Sequence, residues 1–163
     1  MTNQTDIGLD ELMAQITQKT AEVKPVRYYV GDLCYVMHDE WNEVCGVADL
    51  DNEEWEYELE DGRKFIFFST AFGDGQYEDL DGNLYSVDSG SIGAIKVDDI
   101  TDLKGLQNAI ENGLGHIHEF PAEIEGYDCY YQDGEINIYR VSIPTGNFND
   151  VEMAYDENNE EDA

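Results

Sequence analysis

Acidic side chains outnumber basic ones by 38 to 8, for a formal net charge of −30, and that imbalance limits what the chain can fold into. Self-repulsion on this scale works against any compact state, and solubility alone is served by a net charge of only about 2–8 in a small domain. The chain still carries the means to fold. Its 41% hydrophobic and 12% aromatic content exceeds that of disordered acidic chains, which stay open because they bury too little apolar area to offset chain entropy. At 163 residues, one domain can build a core without disulfides or metal. A feature so unfavourable to folding invites an explanation from function or from environment. High salt is the environmental one, since screening shortens to about 3 Å at 1 M.

Periodicity divides the chain into elements. In 6–22, Leu9, Leu12, Met13 and Ile16 fall at i, i+3, i+4 and i+7 and Pro25 lies beyond, which predicts an amphipathic helix. A second short helix is expected after Asp39 as N-cap, with Trp41, Val44 and Cys45 on one face. A third is expected over 102–113, where Leu103, Leu106 and Ile110 share a face and Gly113 suits the C-cap. Between the helices the pattern is that of strands. In 54–60, Trp55, Tyr57 and Leu59 alternate with Glu54, Glu56, Glu58 and Glu60, as on a strand with one buried and one anionic face. Asp61-Gly62 follows, a dipeptide suited to a type I′ hairpin turn, and 63–70 returns as an apolar strand through Phe65, Ile66, Phe67 and Phe68, expected inside the sheet. Asp81-Gly82 repeats the device between strands 77–80 and 84–87, and Asp133-Gly134 repeats it between 127–131 and 135–143. A further strand is expected over 92–97, and the irregular spacing argues against a repeat fold. The expected fold is α+β: a single domain over 1–148, dominated by an antiparallel β-sheet with hairpins and about three short helices. The acidic tail 149–163 is expected to be disordered.

The charge is not confined to the tail. Twelve acids and no base lie between Arg27 and Arg63, seven acids and no base between Lys104 and Arg140, and seven more acids follow Arg140. The glutamate row of 54–60 is the sharpest piece. Alternate residues on one face of a strand lie roughly 6.6 Å apart, a spacing on the scale of successive phosphates along a nucleic-acid strand. Phosphate contacts dominate nonspecific protein–DNA affinity, so such a row could occupy a DNA-binding groove and exclude DNA. The competing reading of this strand alone is an edge protected from aggregation by charge. The expected partner-binding residues are Asp49, Asp51, Glu53, Glu54, Glu56, Glu58, Glu60 and Asp61.

Motifs for catalysis or metal binding are weak. Three cysteines, Cys34, Cys45 and Cys129, lack a framework spacing. With neither a secretory leader pattern nor a run of roughly 18 apolar residues, they suggest reduced thiols in a cytoplasm. A surface this anionic would also repel anionic lipid and nucleic acid. His116 and His118, with Glu119 beside them, could share a strand face but have no third ligand at motif spacing, and Cys34 with His38 is weaker still. The segment 74–83 is rich in oxygen ligands, yet Gly82 breaks the calcium-loop spacing, which favours a turn with solvated acids. Asp88-Ser89-Gly90-Ser91 lacks the nucleophile-elbow pattern, so Ser89, Ser91, Thr70, Asp88 and the histidines make no convincing triad. No cofactor and no enzymatic activity are expected.

Three segments, Tyr29-Val30-Gly31-Asp32-Leu33-Cys34-Tyr35-Val36, Thr70-Ala71-Phe72-Gly73-Asp74-Gly75-Gln76-Tyr77 and Val87-Asp88-Ser89-Gly90-Ser91-Ile92-Gly93, together resemble a family of small acidic phage and bacterial proteins. In that family a GDPCYV segment precedes TAYGDGxY and VDSGxIG, and Leu33 stands here where it has proline. The resemblance covers about 27–145 and supplies no catalytic residues. It implies a phage-encoded accessory protein of the kind that blocks host machinery. With the charge, it gives the leading expectation: an inhibitory DNA mimic that occupies a basic groove of a host defence or nucleic-acid-processing protein. Two other classes stay open. One is a ligand-binding or divalent-cation-binding domain or enzyme built on the loops around Asp32, Asp74 and Asp88. The other is a halotolerant structural protein with no special partner.

Overall fold

Strand β1 (Val26–Gly31) divides its side chains between two cores, Tyr28 and Val30 entering one and Tyr29 the other, because successive residues of a strand leave opposite faces. In the computed structural model, which describes residues 24–48 and 55–146, the strand lies between β6 (Ser91–Lys96) and β7 (His116–Phe120). β3 (Lys64–Ser69) pairs with β6, and β2 (Glu56–Glu58) forms an edge. The result is an antiparallel five-stranded sheet in the order β2-β3-β6-β1-β7. One face packs against a hairpin of β4 (Gly75–Glu78) and β5 (Leu84–Val87) and a three-stranded sheet of β8 (Cys129–Gln132), β9 (Glu135–Ile138) and β10 (Val141–Pro144). The other packs against α1 (Trp41–Ala48), α2 (Leu103–Glu111) and the turn that follows β1. β3 sends Phe65 to the helical side and Ile66 and Phe68 to the other, which explains its unbroken apolar run. The α+β expectation, with an antiparallel sheet dominating, agrees with this architecture. The predicted helix 6–22, the tail 149–163 and residues 49–54 lie outside the described residues.

Local details depart from the sequence expectations for identifiable reasons. At Asp61-Gly62 and Asp81-Gly82 only the glycines have positive φ, 95° and 91°. Leu59 N–H reaches the Arg63 carbonyl and Gly62 N–H the Leu59 carbonyl, and the same two bonds recur from Asp79 to Asn83 and from Gly82 to Asp79. Both are therefore three-residue loops closed by a left-handed glycine, not type I′ turns. Asp133-Gly134, with φ of 52° and 81°, is a type I′ turn. The predicted strand 135–143 is two strands, because Tyr139 (φ 54°) and Arg140 fold β10 back onto β9 with no glycine or proline to announce the turn.

Two predicted faces are also rotated. Trp55 adopts φ 61° and stacks on Phe68 at 4.6 Å, in the core opposite to that of Tyr57 and Leu59, so the alternation does not extend back to it. On α2, Leu103 (66%) and Ile110 (38%) are exposed, and Ala109 is buried with Gly105 and Leu106 beside it. A Cβ at Gly105 would lie 2.5 Å from the Tyr35 carbonyl oxygen, so the helix docks by its smallest residues rather than its most apolar stripe. Asp39 sits within a 3-10 turn (His38–Glu40) that precedes α1, not at its N-cap, and Asp102 caps α2 through the Gly105 N–H at 2.9 Å.

Candidate functional site

Segments 29–36, 70–77 and 87–93 meet at one end of the large sheet, and a buried carboxylate joins the first and the last. Asp32 leaves β1 fully buried. One oxygen accepts the Cys34 N–H at 2.9 Å and the Ser89 hydroxyl at 2.7 Å; the other accepts the N–H groups of Asp88 at 2.8 Å and Ser89 at 2.7 Å. Because the Ser89 hydroxyl donates to Asp32, it accepts from Ser91 at 2.6 Å. Tyr35 donates to Asp88 at 2.7 Å, and Thr70 ties the remaining segment in through Gly73 and Gly90. Four donors thus converge on the Asp32 carboxylate, in the arrangement of charge-assisted hydrogen bonds.

Cys34, which lies in this junction, does not resemble an activated nucleophile. Burial, the hydrogen bond to Asp32 and the charges of Asp32, Asp88 and Asp74 all push the Cys34 thiol far above the usual range, whereas a nucleophilic cysteine needs its thiolate favoured. The two histidines lie elsewhere, on β7 against Tyr85. His116 Nε2 contacts the Leu84 carbonyl at 2.7 Å and His118 Nε2 contacts the Tyr85 hydroxyl at 2.7 Å. Among the described residues no three His, Cys, Asp or Glu side chains converge as a metal site.

Of the segment 74–83, Gly75–Glu78 is strand β4 and only 79–83 is a turn, and the acid that opens this turn is buried rather than solvated. Asp79 accepts the N–H groups of Asp81 and Asn83, the Asn83 amide and the Tyr85 hydroxyl. Burial opposes its ionised form, yet the bonds from Tyr85, Asn83 and Asp81 outweigh burial and hold the carboxyl below its usual range. With the tyrosine proton given to Asp79, His118 carries a proton on Nε2. Burial lowers the His118 pKa, partly offset by the Asp79 charge.

The expected partner-binding acids divide between two surroundings. Asp49, Asp51, Glu53 and Glu54 lie outside the described residues. β2 is only three residues long, so no single strand carries the row from Glu54 to Glu60. Glu56 is half-buried, 4.0 Å from Lys64, and lines a groove with Lys96 and Glu123, themselves paired at 2.7 Å. Glu58 is exposed but opposite Lys64 in the register. Glu60 and Asp61, in the turn, are brought to the start of α1, where the helix dipole favours acids. Arg63 binds Glu40 at 2.9 Å and Asp61 at 2.8 Å, and the Glu60 N–H approaches Glu43 at 3.4 Å. The Arg63 bonds hold the Asp61 carboxyl below its ordinary range. Glu40, Glu43, Glu60 and Asp61 thus form an acidic corner around one arginine. Glu40 and Glu43 were not among the expected site residues, because Glu43 meets Glu60 across 17 positions and Glu40 meets Arg63 across a longer span still.

Comparison of the chain with protein-family models, with curated proteins and with solved structures finds no match.

Proposed function

We propose that this protein is an inhibitory binding protein whose anionic surface occupies the basic, nucleic-acid-binding groove of another protein. The observation that supports it is where the charge sits. Among the described residues only Asp32 and Asp79 are buried acids, and Arg63, Lys64 and Lys96 are taken up by Glu40, Asp61, Glu56 and Glu123. The remaining carboxylates face solvent with few cations among them. Such a surface attracts a basic groove at long range and gives fast, salt-sensitive association. The acidic corner, rather than a straight glutamate row, is the favoured centre of contact. A phage origin and a host defence target are part of the proposal through the family resemblance. The described residues contain no helix long and apolar enough to cross a membrane.

The test is a pull-down from bacterial lysate at low salt, followed by competition with DNA for the recovered protein. DNA and this protein should exclude one another, and affinity should fall at least tenfold between about 50 and 200 mM salt. A flat salt dependence, or simultaneous binding of DNA, overturns the reading. Glu43→Gln with Glu60→Gln should slow association about threefold to tenfold, while Glu111→Gln with Glu119→Gln should change it less. Equal effects would remove the corner as the recognition surface.

A further inference from the structure

The three-stranded sheet packs one face on the core and turns the other to solvent. Cys129, Ile136, Ile138 and Ile143 are buried inward. Successive residues alternate between faces, so Tyr130 and Gln132 of β8, Glu135 and Asn137 of β9 and Ser142 of β10 leave the opposite side. The register sets Tyr130 and Ser142 on either side of Asn137, and Gln132 opposite Glu135. Here a hollow of about 320 Å³ is lined by Tyr130, Gln132, Asp133, Glu135 and Asn137. Its floor is fixed: Asn137 is only 4% exposed, its side-chain carbonyl accepts the Ser142 hydroxyl at 2.6 Å, and its amide donates to the Glu135 carbonyl at 3.3 Å. Its aromatic wall is open, with Tyr130 49% exposed. Among the described residues no ion pair takes up Asp133 or Glu135, whereas Arg63, Lys64 and Lys96 each hold an acid elsewhere.

Polar walls disfavour an apolar guest, and two carboxylates repel an anion. Charge-assisted hydrogen bonds are about twice as strong as neutral ones, which favours a cation over a neutral guest. An open ring beside two carboxylates matches a planar guanidinium, which stacks on tyrosine while its N–H fork reaches carboxylate oxygens. The molecule already makes the stacking half of this contact, Arg140 over the Tyr139 ring at 5.2 Å. We propose that this hollow binds an arginine side chain presented by the basic partner. The inference rests on the reading of a basic partner and adds an anchor to it. Diffuse charge attraction sets approach and salt dependence, while a seated guanidinium fixes orientation, as aromatic and arginine contacts do in interfaces generally. The site is distinct from the acidic corner, whose carboxylates already gather around Arg63.

The experiment needs no partner. Side-chain amide signals of Gln132 and Asn137 are followed by NMR while the full chain is titrated with N-acetyl-arginine amide. N-acetyl-citrulline amide, which keeps the shape and replaces the guanidinium by an uncharged urea, is the comparison. Saturable shifts centred on 130–137, about fivefold or more tighter with arginine than with citrulline, are the expected result. Tyr130→Leu should weaken the arginine probe about twofold to fivefold, and Tyr130→Phe should leave it unchanged. Glu135→Gln should weaken it about twofold to tenfold. Thermal unfolding checks that each variant is folded, and the comparison with citrulline in the parent chain decides without any variant. Shifts that do not saturate, equal binding of citrulline, or unchanged affinity in folded Tyr130→Leu and Glu135→Gln variants overturn the site. Binding of the probe by a protein that recovers no DNA-competitive partner would overturn the function proposed above and leave the site standing. A DNA-competitive partner whose affinity is untouched by Tyr130→Leu would overturn the anchor and leave that function standing.

Discussion

At Asp32 a single carboxylate satisfies four donors from two loops, so its replacement tests the junction directly. Asp32→Asn keeps the shape but turns an amide N–H₂ towards groups that are themselves donors, and it removes the charge they stabilise. Urea unfolding should show a loss of about 2–4 kcal/mol. Ser89→Ala removes one of the four bonds and should cost about 1–2 kcal/mol. The same surroundings keep Cys34 protonated, so a fluorescent maleimide at pH 8 should modify it much more slowly than an ordinary exposed thiol. Rapid modification would contradict the geometry of this loop. His118 makes stability depend on pH. Its pKa is depressed in the fold, so as pH falls below about 6.5 the unfolded chain takes up the proton first. The stabilisation is complete above that pH and declines until the folded pKa is passed. His118→Gln can still donate to Tyr85 but does not titrate, and its Tm should change less between pH 7 and 5 than that of the parent. Asp32 as a turn-forming residue was legible from the Gly-Asp dipeptide. Its burial was not, because the donors from Asp88 and Ser89 lie more than fifty residues away.

The two helices each contain a glycine, and their different contacts predict substitutions of opposite sign. Gly46 lies exposed in α1, and a Cβ there would meet nothing within 4 Å. Gly46→Ala should therefore stabilise the protein by about 0.5–1 kcal/mol through helix propensity alone. Gly105 in α2 has the same propensity deficit, but its Cβ would press on the Tyr35 carbonyl and the Asp102 carboxylate that caps the helix. Gly105→Ala should destabilise by about 1–3 kcal/mol despite the better helix former, as thermal melts of the pair would show. Strand and hairpin positions were readable because the alternation in Tyr57 and Leu59 and the Asp-Gly pairs are local signals. Turn type was less so: Asp61-Gly62, Asp81-Gly82 and Asp133-Gly134 are identical dipeptides, and the pairing of the strands on either side decides which become type I′. The Tyr139-Arg140 turn carried no signal at all, since the packing of Tyr139 on Phe120 at 5.1 Å selects it.

Across the whole molecule, repulsion among surface carboxylates opposes folding, and salt screens it. Raising salt from about 20 to 500 mM should increase Tm by several degrees while it weakens binding to a basic partner, so stability and affinity should move in opposite directions. A Tm that does not rise would mean that the acids are already compensated in pairs, and the case for an unsatisfied anionic surface would fail. The sequence by itself determined the bulk properties: an acidic chain, apolar enough to fold, α+β in class, built on antiparallel hairpins. Composition and short-range periodicity set these, and both are complete in a single chain. Tertiary structure decided which carboxylates act together. Glu43 meets Glu60, Arg63 gathers Glu40 and Asp61, Lys64 and Lys96 draw Glu56 and Glu123 into a balanced groove, and Trp55 stacks on Phe68. Electrostatic and aromatic contacts depend on distances of a few ångströms, and a linear sequence fixes those only for near neighbours.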